Sequence, residues 1–149
     1  LKAIIYLLAL FAINALAGDL PDSTLTPGLA DSTKTQDIIC AKGYTTKSVR
    51  PPASYTTKLK HQQLASGYKE NDPYAEEDHL ISLELGGDPR NPLNLWPQPW
   101  NSPTGNGAKK KDALENRLHK LVCTGQMTLL QAQSCISTNW ILCYERIMK

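Results

Sequence analysis

The sequence predicts a mixed α+β domain, with short strands ahead of two C-terminal helices. Three observations carry this. Residues 79–85 alternate, with Ile81, Leu83 and Leu85 on one side and Ser82 and Glu84 on the other, the period of a half-buried strand. From Ala108 the period lengthens to that of a helix, and Leu114, Leu118, Leu121 and Val122 form one apolar stripe. A second stripe follows in Ile136, Trp140, Tyr144 and Ile147, behind a Thr128…Gln131 capping-box pattern.

The remaining elements follow in chain order. Lys2 precedes the apolar run AIIYLLALFAI and the small-residue site NALAG, so residues 1–17 read as a secretory signal peptide ending at Ala17. The apolar run is shorter than the roughly 20 residues a membrane span needs. Residues 18–37, rich in Gly, Pro, Ser, Thr and Asp, read as a flexible mature N-terminus. Residues 38–149 then make one domain. Gly43 and Pro51-Pro52 punctuate 38–60, which reads as short strands or extended loop. Residues 61–75 read as a turn or short helix and a loop around NDPY. Gly86-Gly87-Asp88-Pro89 ends the strand, and a second strand at 93–96 closes a hairpin. WPQPWNSPTGNG is too rich in Pro and Gly for regular structure. Asn106 is the N-cap candidate for the first C-terminal helix, and Gly125 its stop. The two helices then form an αα-hairpin.

Four cysteines are present, none in a C-x-x-C pair, so a zinc site is not expected and disulfides are. On an unbroken helix Cys135 and Cys143 stand about 12 Å apart. A disulfide needs Cα atoms within about 7 Å. Cys40–Cys123 is therefore the first choice, with Cys135 and Cys143 as buried thiols; Cys40–Cys143 with Cys123–Cys135 is the alternative. The net charge is only +2. Lys47, Arg50, Lys58, Lys60 and Lys69 precede the acidic stretch EED, and Lys109, Lys110 and Lys111 follow it. Such local clusters suit a polyanion, and composition alone suits a solvated surface equally.

Chemistry concentrates at Asp78-His79, where the first strand begins. A histidine near its ordinary pKa can take a proton from water. A neighbouring carboxylate can hold a divalent cation through oxygen. The stretch DHLISLELGG…NLWPQP…AKKKDALENRLHKLVCTG resembles the HNH, or ββα-metal (His-Me finger), nuclease family, its small secreted members most, over roughly residues 40 to 145. The resemblance implies a ββα-metal core of hairpin and helix. It implies His79 as general base, Asp78 as metal ligand and Asn94 as the brace that orients the histidine. For the remaining metal ligand Asn106 is favoured, with Glu115 beside it; Asn101 and Asp112 compete.

The cofactor implied is a divalent metal, Mg²⁺ first, with Mn²⁺ or another ion open. Lys109, Lys110 and Lys111, at a helix N-terminus, would hold substrate phosphate, or else form a solvated face. The function implied is a secreted, metal-dependent endonuclease acting on DNA, with RNA open, with little sequence specificity. It would work as a monomer without stable membrane association. The rival class is a noncatalytic secreted binding or effector domain on the same scaffold. Glu76 and Glu77 read as bystanders. His119, with Asp112 and Glu115, reads as an exposed polar face. Trp96, Trp100 and Trp140 read as core or loop anchors.

Overall fold

A computed structural model describes residues 18–69 and 74–149. The expected signal peptide and most of the NDPY loop lie outside the described residues. The class is mixed α+β, with one two-stranded sheet among the described residues. The helices are α1 (Gln36–Ile39), α2 (Ala53–Ala65), α3 (Ala108–Cys123) and α4 (Leu129–Ile147); the strands are β1 (Glu76–His79) and β2 (Leu95–Gln98). The core lies where α3 and α4 meet, with Leu114, Leu118, Val122, Ile136 and Trp140 fully buried. The expected stripes thus hold on both helices.

β1 and β2 are antiparallel, with Glu76 opposite Gln98, Glu77 opposite Pro97, Asp78 opposite Trp96 and His79 opposite Leu95. The first strand therefore ends where the alternation predicts that it begins. Leu80, Ile81, Ser82, Leu83 and Leu85 are all buried, and Leu83–Leu85 is a 3-10 turn. Alternation marks a strand only when the intervening side chains face water. Here both sets are covered, and the backbone is free to turn. The second strand shifts likewise, because Pro92–Asn94 form another 3-10 turn and pairing starts at Leu95.

What replaces the missing ladder is one side chain, Asn94. Its Oδ1 accepts from Ile81 N at 2.9 Å, and its Nδ2 donates to Ile81 O at 3.0 Å. The amide mimics a strand partner for one residue. Gly87 must come close to the same place. A Cβ there would lie 1.8 Å from Ile81 O and 2.8 Å from Asn94 Nδ2.

Residues 53–60, expected as strand or loop, are helix. α2 begins behind Pro52, whose fixed φ suits a helix start. It buries no residue fully and has no apolar stripe. Polar tethers dock it on the sheet instead: Lys60 Nζ donates to Ala75 O at 2.7 Å, and Gln63 Nε2 to Leu95 O at 2.8 Å.

The segment 18–37 is not a loose terminus. Gly28 N donates to Leu93 O, Thr26 Oγ1 to Leu95 O and Trp140 Nε1 to Asp19 O. Asp19 also accepts from Ser102 and Thr104, closing the Pro-rich loop against the core. Its polar composition serves specific hydrogen bonds rather than solvation.

α3 is N-capped by Gly107, one residue later than the expected Asn106. α4 carries the expected capping box, with Gln131 N donating to Thr128 Oγ1 and Thr128 N to Gln131 Oε1. It is also broken. Asn139 has φ −165° and ψ 98°, and its Oδ1 accepts from Leu142 N, so it restarts the helix as a cap would. The break brings the Cα atoms of Cys135 and Cys143 to 5.4 Å, and they form a disulfide. The expectation that they stay thiols assumed an unbroken helix. Cys40–Cys123, the other bridge, is as expected.

Gly87→Ala is expected to cost about 3 kcal/mol of stability. The measurement is the urea midpoint, which should fall while the slope of the transition stays constant.

Candidate active site

His79 closes β1 and is 3 % exposed. Its Nε2 lies 3.0 Å from Pro89 O. A carbonyl oxygen only accepts, so Nε2 carries the hydrogen, and the lone pair of the neutral ring is on Nδ1. Burial lowers the imidazole pKa below its ordinary value; the Asp78 charge and the bond to Pro89 oppose this only in part. The ring is therefore uncharged at neutral pH, the state a general base needs.

The loop that offers Pro89 O is fastened on every side. Asp88 Oδ1 accepts from Arg90 N at 2.9 Å and Asn91 N at 2.8 Å. The Tyr55 hydroxyl donates to Arg90 O, and the Arg90 guanidinium stands 5.2 Å over the Tyr55 ring. Asn94 Nδ2 donates to Asp88 O at 3.0 Å. Asn94 thus braces the loop, and it reaches His79 through Asp88 and Pro89 rather than by touching the ring.

His79 lines a cleft of about 380 Å³ beside α2, with Arg50, Thr56, Lys60, Glu76 and Glu77. The cations facing this cleft come from the chain ahead of β1, not from the lysine triplet. Arg50 is exposed, and its charge is felt by His79, Glu76 and Asp112. The sequence signal for Arg50 and Lys60 was only membership of a diffuse basic cluster.

Glu76 and Glu77 are not bystanders. Burial and the nearby Asp78 charge push Glu76 up to about 7 and Glu77 up to about 8. Neither Glu77 oxygen has a hydrogen-bond partner, and both are shielded from solvent. Gln63, beside Glu77, spends its Nε2 on Leu95 O and leaves Oε1 without a donor.

The lysine triplet divides three ways. Lys109 is exposed. Lys110 reaches Asn106 Oδ1 at 3.0 Å and Glu145 at 3.1 Å, and its Nζ stands 4.6 Å over the Tyr144 ring. Lys111 is fully buried and cannot meet substrate phosphate, so its expected role is corrected. Its ammonium lies 2.6 Å from Asp78 Oδ2, 2.5 Å from Glu115 Oε1 and 2.7 Å from His79 O. Burial disfavours the charge, but the two carboxylates outweigh it and hold the Lys111 pKa above its ordinary value.

That placement bears on the expected metal ligands. A cation on Asp78 and Glu115 would meet the Lys111 ammonium. Asn106 commits its Oδ1 to Lys110 and its Nδ2 to Thr104 Oγ1. The three residues therefore do not fit a divalent ion in this arrangement. Among the described residues, one trio of acidic, thiol or imidazole groups has its ligand atoms within 4.8 Å of one another: Cys40, His119 and Cys123. There the two sulfurs are joined as a disulfide, and His119 Nε2 is 3.1 Å from Ile39 O. His119 is thus drawn to the disulfide and α1, away from the polar face expected with Asp112 and Glu115.

Comparison with family models, with curated proteins and with solved structures returned no match.

The raised carboxyls make stability depend on pH. Folded Glu77 keeps its proton up to about 8, whereas an unfolded carboxyl loses it near 4.5. Its stabilisation is complete below 4.5 and is lost as pH rises through about 8. His79 acts in the other direction, costing stability as pH falls below its ordinary 6.5. Melting temperature should drop by about 5 °C or more between pH 6 and pH 8.5. Glu77→Gln should flatten part of that drop, with Glu115 and Glu76, whose carboxyls burial also raises, supplying the remainder. A wild-type curve with no decline across that window would contradict the assignment. Separately, Lys111→Met should destabilise by about 3–5 kcal/mol, because it leaves two buried carboxylates facing each other. Chemical denaturation measures it.

Proposed function

We propose that this chain is a secreted hydrolase of nucleic-acid phosphodiester bonds. The observation that carries the reading is His79: a neutral imidazole, its tautomer set by Pro89 O, lining a cleft that also holds Arg50 and Lys60. An antiparallel hairpin followed by a helix, in the order β1, β2, α3, supports the resemblance to ββα-metal nucleases. Two disulfides support an oxidising, extracellular setting.

In this reading His79 Nδ1 takes the proton of a water as its oxygen attacks phosphorus. The P–O bond to the leaving sugar oxygen breaks, that oxygen takes a proton from solvent and leaves as an alcohol, and the proton on His79 Nδ1 returns to solvent. Arg50, with a planar fork of donors, suits a non-bridging phosphate oxygen pair. Lys60 adds a second positive charge at the wall. Contacts of this kind address the backbone and not the bases, so cleavage should be nearly indifferent to sequence.

The test is digestion of plasmid DNA and of RNA by the purified protein. His79→Ala should reduce the rate by about 10² to 10⁴-fold with its thermal melt retained. Arg50→Ala should weaken substrate binding by about tenfold and affect kcat less. If the folded protein binds nucleic acid but cuts neither polymer under any metal condition, the noncatalytic binding domain is the better description.

A further inference from the structure

The residues expected to hold a metal are engaged in one specific way. The two carboxylates that should share a divalent ion, Asp78 and Glu115, share a side-chain ammonium instead. Lys111 Nζ has three oxygen neighbours within 2.7 Å: Asp78 Oδ2, Glu115 Oε1 and the backbone oxygen of His79. It is wholly buried, so no water competes for it. The three donors of an ammonium meet three acceptors, which saturates the group.

We propose that Lys111 is the resident cation of this site, standing where a divalent ion would otherwise bind Asp78 and Glu115. The lysine is a positioning residue rather than a catalytic one, since burial keeps it from substrate. It sets one positive charge against the carboxylates of Asp78 and Glu115 beneath the cleft, so that a phosphate approaching His79 and Arg50 meets less negative charge there. It also fixes the backbone of His79 through its carbonyl. An ion at the same place would need Lys111 to leave, stripping a fully buried ammonium of its three oxygen partners. A positive charge is thus covalently built into α3, and the cleft does not depend on dissolved metal.

The part of this inference that concerns catalysis rests on the hydrolase reading above; the part that concerns cation binding does not. The experiment therefore reads binding. MnCl₂ is titrated into the intact, metal-stripped protein, and free Mn²⁺ is followed by its electron paramagnetic resonance signal. Wild type should leave the signal undiminished at micromolar metal. Lys111→Ala, which leaves Asp78 and Glu115 facing an open space, should bind one Mn²⁺ at least about tenfold more tightly and be thermally stabilised by it. Saturable micromolar binding to wild type that Asp78→Asn removes overturns the proposal. So does a folded Lys111→Ala protein that binds no better than wild type. Should Lys111→Ala not fold, the wild-type titration decides alone, its lack of binding supporting the proposal. A plasmid left uncut in every buffer counts against the hydrolase reading and leaves the Mn²⁺ result standing.

Discussion

The Asn94 amide is the constraint on which the rest of the structure depends. It carries four hydrogen bonds, to Ile81 N, Ile81 O, Asp88 O and Leu29 N. They make three ties: two bonds to the chain just past β1, one to the loop that offers Pro89, and one to the N-terminal segment. The residue is fully buried, so each bond replaces one to water, and losing any leaves a dry polar group at a cost of about 1–3 kcal/mol. Gly87 is glycine because its backbone must pass within contact of that amide and of Ile81 O. His79 points where it does because Asp88 and Pro89 are held there. Fixing His79 on a strand only four residues long needs such a device, since a short hairpin alone is marginal in water.

A second constraint sits on the far face of β1. Adjacent residues of a strand point oppositely, and Asp78 and His79 use this. His79 and Glu77 turn toward α2 and its polar tethers; Asp78 turns toward α3 and its buried lysine. The sheet is a partition. On one side, carboxyls whose pKa burial raises, together with exposed Arg50 and half-buried Lys60, leave the cleft receptive to an anion. On the other, a saturated ion cluster locks α3 against the hairpin. Truncating a member of that cluster is costly, while the cluster itself contributes less to stability than its short distances suggest, because desolvating the charges offsets much of their attraction.

What the sequence makes legible follows from how each element is held. α3 and α4 are held by apolar stripes, and stripes are visible as period. The capping box at Thr128 is a local signal and is read correctly. Asp78, His79 and Asn94 stand out because their types and order are chemically unusual. α2 is held by Lys60 and Gln63 to backbone oxygens, and no periodicity records that. The segment 18–37 is held by side-chain and backbone hydrogen bonds across up to 121 residues, which composition reads as looseness. β1 misleads because its continuation is buried on both faces. Lys111 left a trace that a stricter count would have caught: it precedes Leu114 by three and Leu118 by seven, so it continues the apolar stripe. A lysine on a buried stripe, four residues before a glutamate, is a buried ion pair in the making.

The Cys40–Cys123 bridge has a topological consequence. It joins residues 83 apart into one covalent ring, and every residue named at the cleft, from Arg50 through Glu115, is inside it. A protease that nicks one exposed bond within the ring opens a loop but releases no fragment. The two pieces stay joined through sulfur and remain at high effective concentration for one another. Outside the ring lie the N-terminal segment, where a cut near Ala30 would detach Asp19, Thr26 and Gly28 together, and the chain beyond Cys123, whose α4 carries its own Cys135–Cys143 bridge. Under proteolysis the cleft residues are enclosed, and the two flanking segments are the parts at risk.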